Sequence, residues 1–239
     1  QRGRVARHAA LWIWLIALAG FAAALLVGWW QWDTPALLTN SLAWWGLLVG
    51  FYVSEWLVVS MRSGGQSLSF SMGAVPLVVG LYAVAPVELI SVVAISTVVF
   101  AGTRRREPLV ILILLVGRRI LEASVAVAIF RLAGSIQDPF SSVGWLAALA
   151  AAAGAYAVGQ VLASTSQAVQ GIRPTVGERV ESFGFGAVVS LANGALGMLI
   201  AEALLSAAHV ALFSIFPGLA LFGGYRAYAA SRYDRVRLR

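Results

Sequence analysis

The chain contains no cysteine and no lysine. Without cysteine there can be no disulfide, thiolate metal site or cysteine nucleophile. Charge of any kind is scarce, at 11% of residues, against roughly 25% in soluble domains. Hydrophobic residues make up 60%, and mean hydropathy is +0.86. A soluble fold of 239 residues could not hide that much apolar surface, so lipid must cover it. The two histidines, His8 and His209, lie far apart and near the ends of apolar runs, so no metal site is expected. No phosphate-binding loop, HExxH motif, paired histidines or Ser-His-Asp set is present. Glu202-Ala203-Leu204 spells EAL by chance inside an apolar run. The chain is therefore expected to be neither an enzyme nor a cofactor carrier.

What is present is arginine, in a pattern. Short clusters fall between long apolar runs: Arg2, Arg4 and Arg7; Arg62; Arg104, Arg105 and Arg106; Arg173 and Arg179; Arg226, Arg232, Arg235, Arg237 and Arg239. If every second loop faces the cytoplasm, all of these lie on that side, which is the positive-inside arrangement of a polytopic membrane protein. The opposite loops carry Asp33 and Asp138. The net charge of +7 then reflects topology and attraction to anionic lipid heads, and no nucleic-acid partner is expected.

A span needs about 20 apolar residues. Ala9–Trp30 reads as a retained signal-anchor helix, with the natural start preceding Gln1. Ser41–Ser60 is the second segment. Pro108–Leu132, Val143–Gln167, Glu181–Ser206 and Ala207–Tyr228 are the fifth to eighth, with Pro217 as a kink. Between the second and fifth lies an irregular stretch. Ser67 to Met72 alternates polar and apolar residues, an extended pattern. Gly73–Ala85 is apolar but covers only about 20 Å at 1.5 Å per residue. Pro86 breaks it, and Val87–Gly102 follows. The expected fold is all-α: a membrane helix bundle of about eight segments over residues 1–228, both termini cytoplasmic, broken or re-entrant near Gly64–Pro86. Irregular backbone at membrane depth is tolerated where protein buries it or it lines a cavity. Ser69, Ser71 and Pro76 are therefore candidates for a cavity wall.

Glu55, Arg118, Arg119 and Glu122 fall near mid-membrane. A charge there costs about 2.5–3.5 kcal/mol on insertion scales and should face the bundle interior, paired. Arg118 and Glu122 are one turn apart and can pair within a helix. Arg119 points elsewhere and needs Glu55 or Glu202. Asn193 is expected as an interhelical hydrogen bonder. These six residues form the candidate ligand site or polar network; a charge lock that merely holds the bundle is the competing reading. Gly186, Ser190 and Gly194 share one helix face, which suits close helix packing within the chain or a dimer seam. Gly223, Gly224, Tyr225 and Tyr228 open a basic helical exit, with residues 229–239 expected to start a cytoplasmic linker to a further C-terminal region.

Several runs resemble a known family. They are Ser69-Phe70-Ser71-Met72-Gly73-Ala74-Val75-Pro76-Leu77-Val78-Val79-Gly80-Leu81, the Arg-rich loop, Pro108-Leu109, Leu121-Glu122, Leu191-Ala192-Asn193-Gly194-Ala195-Leu196-Gly197 and Tyr225-Arg226-Ala227-Tyr228. Together, over about residues 45–235, they resemble the N-terminal membrane region of actinobacterial GGDEF/EAL signalling proteins. That resemblance implies a sensory and anchoring domain in the bacterial cytoplasmic membrane, ahead of cytoplasmic domains that make or degrade cyclic di-GMP. A small ligand and a homodimer are its expected partners besides the bilayer. Phe70–Leu81 also resembles the membrane substrate-binding components of vitamin uptake transporters, which implies the alternative of a solute-binding subunit.

Overall fold

The computed structural model describes residues 2–30, 41–57, 59–63, 66–70, 72–105, 108–133, 140–169, 175–206 and 223–224. Among these, helices α1 (Arg2–Trp30) and α2 (Ser41–Trp56) are followed by strands β1 (Val59–Ser63) and β2 (Gln66–Phe70). Helices α3 (Ala74–Ala83) and α4 (Pro86–Phe100) come next, and α4 runs into a π-helical turn at Ala101–Arg105. Helices α5 (Leu109–Leu132), α6 (Ser142–Val169) and α7 (Val176–Ser206) follow.

Among the described residues, three helical stretches are long and apolar enough to cross a membrane: Pro86–Thr103, Ser142–Thr165 and Phe183–Leu205. In α1 the apolar stretch Trp14–Gly28 is shorter. α5 has the length, 24 residues, but carries Arg118, Arg119 and Glu122 in its middle. The exterior agrees with this composition. α1 turns Leu18, Phe21, Leu25 and Leu26 outward, Leu26 at 70% exposure. A helix solvated by water would place charged residues on that face, whereas lipid tolerates the apolar ones.

α3 is the innermost element. Its residues from Pro76 to Ala83 are all buried. A helix that is apolar all round belongs inside a core. It lies against α7, where small residues let the backbones approach: a Cβ on Gly197 would sit 2.8 Å from the Val75 carbonyl oxygen and 2.9 Å from the Val78 Cβ. At its far end Tyr82 stacks on Phe140, meets Phe130 edge-on, and donates to the Gly144 carbonyl at 3.1 Å. α3 then stops, with Val84 and Ala85 both extended. Pro86 lacks the N–H that a continuing helix needs, and its ring disfavours helical backbone at Ala85. The same proline is well placed as the first residue of α4, and the Glu88 carboxylate accepts from the Ala85 N–H at 3.1 Å. The break therefore falls where the proline requires it. Ten residues of α3 reach only about 15 Å, so this helix does not cross a bilayer alone.

Two expectations are corrected. The second segment does not run to Ser60: α2 ends at Trp56, and the chain turns into an antiparallel hairpin pairing Val59 with Phe70 and Ser63 with Gln66. The fold is thus helical with one short hairpin. The physical reason is that Val59, Ser60 and Met61 fit a strand as well as a helix, and a matching alternating strand lies two residues beyond Ser63. Those two residues are Gly64 and Gly65, a composition that tight hairpin turns favour. The seventh segment also begins earlier than Glu181: α7 starts at Val176. The face of Gly186, Ser190 and Gly194 packs within the chain, on α6. Ser190 Oγ donates to the Ala152 carbonyl at 3.2 Å, and a Cβ on Gly194 would touch the Ala152 Cβ at 3.2 Å. The expected eighth segment, Ala207–Tyr228, lies outside the described residues except for Gly223 and Gly224, which are helical and exposed.

Candidate functional site

The site grows from one turn and a half of α5. Residues four apart share a helix face, and residues three apart are neighbours. Glu122 can therefore receive both Arg118 and Arg119. Arg118 Nε donates to Glu122 Oε1 at 2.7 Å, and Arg119 Nη1 donates to Glu122 Oε2 at 3.1 Å. Arg119 Nη2 pairs with Glu55 Oε1 of α2. The result is an alternating chain, Arg118–Glu122–Arg119–Glu55, that sums to zero charge. Such pairing is what makes four charges tolerable between apolar helices.

Neighbouring helices make room for it. A Cβ on Gly159 of α6 would collide with Glu122 Oε1 and come within 3.1 Å of Arg118 Nη2. Gly186 of α7 yields space to the Tyr156 ring in the same way. On α2, Tyr52 lies edge-on to Phe100 and its hydroxyl is 3.5 Å from Thr103 Oγ1, so the aromatic end of α2 meets the π-helical turn beyond α4. Turns of this kind occur often at functional sites.

The network forms one wall of a cavity of about 300 Å³. All four charged residues line it. The lining also includes apolar side chains, among them Leu77, Val93, Ala123 and Ala152. Gly73 and Ala74, at the start of α3, belong to the lining as well. Most other polar groups at the cavity are already engaged by backbone. Ser96 Oγ and Thr97 Oγ1 both donate to the Val93 carbonyl, at 3.0 and 2.7 Å. Tyr156 donates to the Phe183 carbonyl at 3.3 Å. The chemistry on offer is thus recognition by charge and shape. A cavity of this size is at the small end of the about 300–1,000 Å³ typical of ligand pockets.

The structure brings together Glu55, Arg118, Arg119 and Glu122 and leaves two expected members out. Glu202 is exposed near the end of α7 and does not line the cavity, so Glu55, not Glu202, is the partner of Arg119. Asn193 is fully buried in α7, away from the cavity lining. Pro76 is buried in the first turn of α3, where a missing N–H costs nothing, and its neighbours Gly73, Ala74 and Leu77 line the cavity in its place. Ser69 lies in β2, while Ser71, Pro217, Tyr225 and Tyr228 lie outside the described residues. Sequence reasoning did not find Tyr156, Gly159 or Gln160. Their signal was weak but present: two polar residues and a glycine interrupting an alanine-rich run. No family model matches the chain, and the searches of curated proteins and of solved structures return no match either.

Proposed function

We propose that this chain is a membrane-embedded sensory and anchoring domain of a signalling protein, holding a small ligand in the α2–α7 cavity and coupled to cyclic di-GMP turnover by cytoplasmic domains outside the chain. The observation that carries the reading is the cavity itself. It is walled by a neutral four-charge network and reached by residues of α2, α3, α4, α5, α6 and α7. The lining is drawn from six helices, so two packings of the bundle would bind a ligand there with different affinity. That difference is the only way a ligand can shift a conformational equilibrium. Each tenfold difference supplies about 1.4 kcal/mol of bias. The setting that goes with this reading is the bacterial cytoplasmic membrane, with about eight crossings, both termini cytoplasmic, and a homodimer as the signalling unit.

Because the chain lacks cysteine, single introduced cysteines report topology without background. Asp138→Cys is expected to react with an impermeant reagent from outside, and Arg105→Cys only from inside. The reverse pattern overturns the orientation. For function, the chain fused to a diguanylate cyclase output is expected to change its activity when Arg118 and Glu122 are disrupted, and again when Gly223 and Gly224 become alanines. An active fusion indifferent to both changes identifies an inert anchor. A substrate-binding transporter subunit is the second reading, supported by Gly73, Ala74 and Leu77, which line the cavity and belong to the stretch resembling such subunits. Co-purification with an ATPase module and tight vitamin binding would favour it.

A further inference from the structure

We infer that the cavity is built for a small zwitterion, one amine and one carboxylate on an apolar body. The inference rests on the reading of the cavity as a ligand site and adds the chemistry of the ligand. The ion-pair chain has two open ends. At one end Arg118 uses only Nε, on Glu122, which leaves the Nη1 and Nη2 edge of its guanidinium unengaged among the described residues. At the other end Glu55 uses only Oε1, on Arg119, which leaves Oε2 unengaged among the described residues. Both residues line the same cavity. An open guanidinium edge matches a carboxylate, and an open carboxylate oxygen matches an ammonium.

Charge balance selects the combination. The empty network is neutral. A simple anion on Arg118 would leave one net negative charge in an apolar bundle, and a simple cation on Glu55 would leave one net positive charge. Both are costly at this depth. A zwitterion fills both ends and leaves the sum at zero. The apolar lining residues, Leu77, Val93 and Ala123 among them, then take the hydrocarbon part. The committed side-chain donors nearby, Ser96 and Thr97, add no competing preference for a sugar-like ligand.

The test uses the full chain in lipid nanodiscs and calorimetric titration. The probes are L-leucine and a linear ω-aminocarboxylate as zwitterions, N-acetyl-L-leucine as the anion-only analogue, L-leucinamide as the cation-only analogue, and a neutral N-acetylated amide. At least one zwitterion is expected to bind, and both singly charged analogues to bind about tenfold or more weakly. Glu55→Gln should shift preference toward N-acetyl-L-leucine, and Arg118→Gln toward L-leucinamide. A purely structural role for these residues would not invert selectivity. If either variant fails to fold, the wild-type ranking still decides. Singly charged or neutral probes binding as tightly as the zwitterions overturn the inference while the ligand-cavity reading stands. If no probe binds, the inference also falls. The ligand-cavity reading falls with it only if the cyclase fusion also ignores disruption of Arg118 and Glu122.

Discussion

Glu122→Gln is expected to lower the melting temperature of the detergent-solubilised chain by roughly 6–20 °C. Breaking a buried ion pair from one side costs about 3–5 kcal/mol, and a domain of this size loses about 2–4 °C per kcal/mol. The cost is large because Glu122 is the centre of the network. It is buried, and it is the carboxylate that both Arg118 and Arg119 address. Glutamine has nearly the same shape, so the loss reports stranded charge rather than lost packing. Glu55→Gln should cost less than half as much, since Arg119 keeps Glu122 and the Glu55 side chain is more exposed, 21% against 11%. Arg118→Gln should also cost less, since Glu122 keeps Arg119. Equal losses in all three variants would remove Glu122 from the central position. Replacing all four charges by apolar residues of similar volume is a different experiment. It strands nothing, so stability should largely return, as it often does for buried ion networks. The cyclase fusion should stay unresponsive in that variant. Stability without response would separate the network's role in sensing from its role in folding.

The α5 part of this network was legible in the sequence because its cause is local. Three charges within five residues of an apolar run must pair, and helical spacing says how. The choice between Glu55 and Glu202 was not legible. Both are carboxylates in apolar helices, and only the packing of α2 on α4, which itself packs on α5, brings one of them to Arg119. Residues 64–86 show the same division. The proline break and the short apolar length are properties of the chain itself and predicted the separation of α3 from α4. The first strand of the hairpin was hidden, because Val59 to Met61 continue the apolar run of α2 and short apolar runs do not reveal their period. Gly159 was invisible for a further reason. Its importance lies in what its missing side chain admits, the Glu122 carboxylate, and that is a property of two helices together.

Close helix contact gives the last expected result. Gly117→Val should destabilise the chain by about 1–3 kcal/mol or more, the usual cost of overpacking a rigid contact. Gly117 immediately precedes Arg118 and faces α1. A Cβ there would sit 2.6 Å from the Ala17 Cα and 3.2 Å from its nitrogen. From the other side, a Cβ on Gly20 would collide with the Gly117 carbonyl oxygen. These obstacles are backbone atoms, not the ends of flexible side chains, so rotamer changes cannot relieve the clash. α1 and α5 would have to separate, and the polar residues just beyond Gly117 would move with α5. Gly46→Ala is the control. Among the described residues, nothing lies within 4 Å of the Cβ it would add in the middle of α2. Alanine is favoured over glycine inside a helix by up to about 1 kcal/mol, so this variant should hold or raise the melting temperature. Opposite signs for the two variants in thermal unfolding would show that the crossing of α1 and α5, rather than glycine content, sets stability. A neutral Gly117→Val would mean that α1 can be displaced from α5 at no cost. In that case α1 could not hold Arg118 and Arg119 in register with Glu55.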